Sequence, residues 1–177
     1  MSIENGEIYP HCLTVTRTIK VGGLTKPQLI QKMIQHSICM NKLGKVLFGD
    51  DLFTVTAETY SLKTVELTIH DLGFAEGATA AQIFEKAKNL GLELCPLELG
   101  PYLRIECLDQ PEGYTGRLSQ QNQAPNGSIT IASKPLKQND NFPKGFYLRR
   151  IEGVLWLRGY VADDEHVWKP DDHFVFC

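Results

Sequence analysis

The segment between residues 142 and 177 carries the side chains best suited to bind a ligand. Aromatic residues and arginines alternate there along two runs typical of strands, and a histidine and a second tryptophan follow. The candidate binding residues are Tyr147, Arg149, Trp156, Arg158, Tyr160, His166 and Trp168. An arginine above an indole ring gives a cation–π contact worth about 0.5–2 kcal/mol. Arginines beside aromatic rings also suit a nucleobase or a phosphate.

A β-hairpin must position these side chains. Residues 146–151 and 154–160 flank Glu152-Gly153, a dipeptide typical of a tight turn. Since successive side chains of a strand point to opposite faces, five of the candidates share one face, which we call the hairpin face: Tyr147, Arg149, Trp156, Arg158 and Tyr160. This pattern favours a binding or interaction module. The alternative is that the arginines only cover half-buried rings, with no ligand.

A second interpretation makes the same segment the site of a small enzyme that acts on a phosphate-bearing substrate. The arginines that would hold the phosphate are Arg149, Arg150 and Arg158. His166 would act as acid or base, or Asp163 and Glu165 would bind a metal ion. Carboxylates clustered between strands more often form a solvated turn, so we predict no metal and no cofactor. A third interpretation is a structural subunit whose hairpin is an oligomer contact.

Motifs of several large enzyme classes are absent from the sequence. Gly44-Lys45 is followed by Val46 and not by Ser or Thr, so no phosphate loop is present. The glycine fingerprint of dinucleotide sites, the zincin helix and the G-x-S-x-G elbow do not occur either. Cys95 is the best candidate nucleophile among the cysteines, but a buried structural thiol is the commoner role. The absences argue against an enzyme of these classes.

Composition points to a protein of the cytoplasm. The chain has 177 residues, is 42% hydrophobic and 22% charged, and carries a net charge of −3. An acidic net charge argues against nucleic acid or an anionic membrane as partner and leaves a protein or a phosphate-bearing ligand. The first residues are polar and acidic, unlike a secretion signal. Five widely spaced cysteines favour reduced thiols.

The pattern of elements predicts an α+β fold with two helices on a largely antiparallel sheet. Each helix begins at a capping box, Thr25 with Gln28 and Thr79 with Gln82. Strands are also expected at residues 52–55, 92–95 and 102–108, and a long surface loop at residues 110–128. We expect an arm at residues 1–11 and a single domain at 12–177, or two small lobes, about 12–91 and 92–177, that share a core.

Four uncommon stretches carry a resemblance to a known family. They are LGLELCPLELGPYLR (residues 90–104), DQPEG (109–113), GFYLRRI (145–151) and HVWKPDDHFVF (166–176). From about residue 17 to residue 176 the chain resembles a family of short bacterial proteins of unknown function, sometimes labelled helicase. The resemblance implies a bacterial cytoplasmic protein and brings no catalytic residues. A chain of 177 residues without a phosphate loop is not a helicase motor.

Overall fold

The computed structural model describes residues 15–113 and 127–177, which form helices and strands in mixed order. The helices are α1 (Lys26–Gln35), α2 (Lys42–Gly49), α3 (Ala80–Asn89) and α4 (Leu99–Glu106). The strands are β1 (Val15–Val21), β2 (Cys39–Met40), β3 (Tyr60–Thr68), β4 (Ala78–Thr79), β5 (Ile129–Ile131), β6 (Gly145–Ile151), β7 (Val154–Tyr160), β8 (Val167–Trp168) and β9 (His173–Phe176).

One sheet organises the fold. Its seven strands lie in the order β1-β3-β9-β5-β6-β7-β2, while β4 and β8 pair in a separate ribbon. Neighbouring strands run antiparallel except β5 with β9 and β2 with β7. The chain is therefore an α+β protein with a largely antiparallel sheet, as the sequence predicts.

The sheet packs against other elements on both faces. On its first face, buried side chains of α1, α2 and α4 contact Phe146, Leu148 and Val175. On its second face, Ile83 of α3 and Trp168 of the ribbon pack against side chains of β3 and β9. The cover on the second face thus lies at the β3–β9 end of the sheet. The hairpin of β6 and β7 lies towards the other end.

Both predicted helix starts are confirmed. Gln28 N–H donates to Thr25 Oγ1 at 3.3 Å, and Thr25 N–H donates back to Gln28 Oε1 at 2.9 Å. The N–H of Thr79 donates to Gln82 Oε1 at 2.9 Å, and the reciprocal bond is also present in α3. Each pair satisfies two backbone donors that a helix start leaves free, which is why local sequence suffices to predict it.

The prediction of two helices is wrong, because the described residues form four. The sequence predicts that the first helix frays at about residues 41–44, but α1 ends at Gln35, and Asn41 caps α2, accepting from the N–H of Gly44 at 2.8 Å. A strand is expected at residues 102–108, yet α4 occupies most of them. Leu99 and Leu103, one helical turn apart, are both fully buried against the first face. Residues 52–55 and 92–95 are not strands either.

The hairpin turn sets the register of β6 and β7. Glu152 has φ 50° and Gly153 has φ 75°, as in the tight turn that matches the twist of antiparallel strands. Gly153 adopts this conformation without steric cost, since it has no Cβ. The turn brings Arg149 opposite Trp156 and Tyr147 opposite Arg158.

The remaining predictions concern two lobes, an N-terminal arm and a long surface loop. Strands from both predicted sub-lobes lie in one sheet, so two lobes are not shown within residues 15–113 and 127–177. The predicted arm at residues 1–11 and most of the loop at 110–128 lie outside the described residues. None of the helices in the described ranges has the length and apolar character needed to cross a membrane.

Candidate functional site

The strand register places the residues of the hairpin face side by side. Directly opposite residues of an antiparallel pair project to the same side, so Tyr147, Arg149, Trp156 and Arg158 share one face. Tyr160 lies opposite Gly145 on that same side. This is the second face of the sheet.

Arg158 is held between two rings of the hairpin face. Its Nε donates a hydrogen bond to the hydroxyl of Tyr147 at 2.8 Å. Its guanidinium carbon lies 5.0 Å from the centre of the Trp156 ring and 6.0 Å from that of Tyr147. Both distances are within the range of cation–π attraction. The side chain therefore has a defined position, although it is partly exposed.

A chain of aromatic contacts joins the hairpin face to the two candidates that follow it. Ring centres are 6.3 Å apart for Tyr147 and Tyr160, and 5.5 Å for Tyr160 and Trp168. The Trp168 ring in turn meets His166 edge-on at 4.9 Å. All seven sequence-predicted residues thus lie in one continuous region.

Exposure varies along this region. Trp168 is 5% exposed and belongs to the core beneath α3, and Tyr147 is 9% exposed. Trp156, Arg158 and His166 are partly exposed. Tyr160 at the end of β7 packs against the core that contains Ile83 of α3. The region is therefore buried at its Trp168 end and open to solvent at Trp156.

A buried arginine supports the hairpin from behind. Arg104 of α4 is 0% exposed, and its Nη1 donates to the backbone oxygens of Arg149 and Trp156 at 3.5 and 3.3 Å. It also donates to Gln110 Oε1 at 2.5 Å and to the backbone oxygen of Cys107. Burial lowers the pKa of its guanidinium to about 10, which leaves it charged at neutral pH. The backbone of the two central residues of the face is thereby fixed to α4.

Burial also sets the titration of groups within the region. It lowers the pKa of His166, against the opposing influence of Asp163, and so favours the neutral imidazole. It raises the pKa of the Tyr160 hydroxyl, which therefore stays protonated. Burial lowers the pKa of Arg149, with a smaller contribution from the neighbouring Arg158.

Some residues predicted to bind a phosphate or a metal ion do not lie together. Arg150 projects to the first face and pairs with Glu112 at 3.5 Å, so it cannot share a phosphate with Arg158. Asp163 accepts a hydrogen bond from the N–H of Glu165, as in an exposed turn. Among the described residues no group of three or more His, Cys, Asp or Glu side chains is placed to hold a metal ion.

Sequence reasoning missed a charged cluster on the first face. Glu66 Oε1 lies 2.9 Å from Nδ1 of His173, and its Oε2 lies 2.8 Å from Nη1 of Arg17. The hydrogen bond that His173 donates to Glu66 raises the pKa of His173. Strand alternation places Glu66 on the first face of the sheet, and its partners come from β1 and β9. Nothing local in the sequence signals that contact.

A groove of about 530 Å³ lies elsewhere, between residues 52–56, 95–98 and 134–136. Glu98 at its wall accepts hydrogen bonds from the backbone and hydroxyl of Thr56 and from the hydroxyl of Tyr60. These bonds occupy the carboxylate, so Glu98 serves to fix the Thr56 loop. Cys95 also lines this groove and is 4% exposed.

Fold and site together define an α+β protein whose sheet carries a partly exposed aromatic and arginine face. Comparison with known proteins does not narrow this class further. No family model matches the chain, and no curated protein and no solved structure matches it.

Proposed function

We propose that the protein is a binding module whose hairpin face holds a partner carrying anionic groups. The observation that supports this most is the placement of Arg158 between Tyr147 and Trp156, where its side chain is partly exposed. The same proposal includes a location in the cytoplasm, which the four free cysteines of the described residues favour. Membership of the bacterial family that it resembles is likewise a proposal.

The charge of Arg158 is available to a partner. Within residues 15–113 and 127–177 it forms no ion pair, and the hydroxyl of Tyr147 holds it in one orientation. An arginine already ordered loses little entropy on binding, and its planar group can accept a carboxylate or phosphate in two hydrogen bonds. Trp, Tyr and Arg are also the residue types that dominate binding energy at interfaces.

Tryptophan fluorescence tests the proposal directly. The chain has two tryptophans, and only Trp156 lies on the hairpin face, while Trp168 is buried. Titration with inorganic phosphate, a nucleoside monophosphate and an acidic peptide should give a saturable change of emission with at least one probe. The change should be lost in W156F, because the remaining Trp168 is shielded.

Charge variants provide the matched comparison. Arg158→Gln should weaken binding of the responding probe at least about tenfold, the loss of one charged hydrogen-bonding contact of about 1.5–3 kcal/mol. Arg150→Gln, on the opposite face, should leave it unchanged. Equal effects of the two variants, or no saturable change with any of the three probes, would contradict the proposal.

A second candidate function is a small enzyme acting on a phosphate ester. The observation that favours it is His166, whose largely neutral imidazole lies against Trp168 in the same continuous region. A neutral imidazole suits a general base. Hydrolysis of an activated phosphate ester that is lost in His166→Gln but kept in His36→Gln, an exposed histidine of α1's end, would support this function. Equal rates in the two variants would exclude His166 as the base.

A further inference from the structure

Two cysteines far apart in sequence meet where the chain following α3 runs beside β9. Glu93 and Cys177 exchange both backbone hydrogen bonds, Glu93 N–H to the Cys177 oxygen at 2.6 Å and Cys177 N–H to the Glu93 oxygen at 2.9 Å. Cys95, two residues beyond Glu93, directs its thiol towards the backbone oxygen of Val175 at 3.5 Å. The Cys95 thiol therefore lies beside the last residues of β9, close to Cys177.

The two cysteines are neighbours in space. The Cys95 thiol points to the backbone of Val175, two residues before Cys177, its side chain interacts with that of Cys177, and both cysteines are free. That interaction, together with burial, raises the pKa of the Cys95 thiol. Cys177 is partly exposed, and the groove beside Cys95 brings solvent to the other side of the pair. The two cysteines therefore lie at the edge of the core, close to solvent.

We propose that Cys95 and Cys177 form a redox-sensitive pair that a low-molecular-weight disulfide, such as oxidised glutathione, converts to an intramolecular disulfide. The other described cysteines have no such partner in the described parts of the chain: Cys39 is exposed on β2, and Cys107 is buried at the end of α4. A disulfide requires two cysteines on adjacent stretches of backbone, with Cα atoms about 4.4–6.8 Å apart.

The exchange proceeds in two steps. Cys177, the more exposed thiol, loses its proton to solvent, and its sulfur attacks one sulfur of the small disulfide. A mixed disulfide forms and the first small thiolate leaves. Cys95 then gives up its proton, attacks the Cys177 sulfur and releases the second small thiolate. Two protein thiols are oxidised and one small disulfide is reduced to two thiols.

Peptide mapping tests the proposal on the folded, full-length chain. After treatment with oxidised glutathione, free thiols are alkylated and the protein is cleaved with trypsin. Cys95 falls in the peptide of residues 89–104 and Cys177 in that of residues 159–177. We expect these two peptides to be recovered joined, with loss of both alkylated forms and an upward shift of the melting temperature. A reductant should reverse both changes.

Three variants separate the steps. Cys95→Ser should trap the mixed disulfide on Cys177, whereas Cys177→Ser should leave Cys95 unmodified because it is buried. Cys39→Ser should leave the cross-link between Cys95 and Cys177 unchanged. The proposal is overturned if folded protein forms mixed disulfide on Cys39 without the joined peptides. It is equally overturned if the cross-link appears only in denaturant.

Discussion

Arg104 provides the sharpest test of how the hairpin is held. Replacing it with Met keeps most of the side-chain volume but removes the donors to Gln110 and to the backbone oxygens of Cys107, Arg149 and Trp156. The two close contacts, to Gln110 and to Cys107, are charge-assisted hydrogen bonds that contribute about 1.5–3 kcal/mol each. The two long contacts add little. Met carries no charge that must be removed from water, which offsets part of the loss, so we expect the free energy of unfolding to fall by about 3 kcal/mol.

Urea unfolding followed by circular dichroism measures this change. The matched control is Arg150→Met, the same substitution on the neighbouring hairpin strand. The Arg150 side chain is 37% exposed, and its ion pair with Glu112 should contribute under about 1 kcal/mol. Tryptophan emission should also shift more in Arg104→Met, because Arg104 binds the backbone of Trp156.

One result would refute this reasoning. If Arg104→Met is as stable as the wild type, or more stable, the cost of burying the cation exceeds the bonds that it makes. The support of the hairpin would then come from apolar packing of Phe146 and Leu148 on α4 alone.

Two further predictions concern pH and packing. The folded state raises the pKa of His173, so the stability that this residue contributes is complete below pH 6.5 and is lost as the pH rises through its folded pKa. The folded state lowers the pKa of His166, so protonation of this residue costs stability as the pH falls below 6.5. His173→Gln should therefore flatten the stability profile above pH 6.5 and His166→Gln below it, and unfolding curves with the reverse assignment would contradict both shifts. Gly100→Ala should cost about 1–3 kcal/mol, because its Cβ would lie 2.6 Å from the Phe146 ring, whereas Gly49→Ala meets nothing within 4 Å and should be neutral in the same urea assay.

The parts of the fold that sequence predicts are those fixed by local contacts. The Thr79 cap and the Glu152-Gly153 turn each depend on residues within three positions. By contrast, α4 contains Gly100 and Pro101 and its N-cap, Glu98, makes no side-chain capping bond. Its helical form depends on burial against β6, which no local pattern reveals.

The candidate site also has a part that local sequence predicts and a part that it does not. Strand alternation and the turn together place Arg158 beside Trp156, because both lie on one hairpin. The Arg104 contacts to that hairpin join residues up to 52 positions apart, and the pair of Glu66 with His173 joins residues 107 apart. Such contacts follow from the order of the strands and from the packing of α4 against them. A seven-stranded order with non-sequential neighbours is not encoded in any single segment.

Two arginines contact Trp156 from opposite sides of the hairpin. Changes at one are expected to affect binding, and changes at the other stability. On the exposed side Arg158 lies over the Trp156 ring, and on the buried side Arg104 donates to the Trp156 backbone oxygen. A charge change at Arg158 alters what can approach the face while the strands stay in place. A change at Arg104 loosens the strands themselves and raises the entropy that a partner must overcome on binding. Under the proposed function, Arg104 would therefore support recognition without touching the partner, by keeping the hairpin face in one conformation.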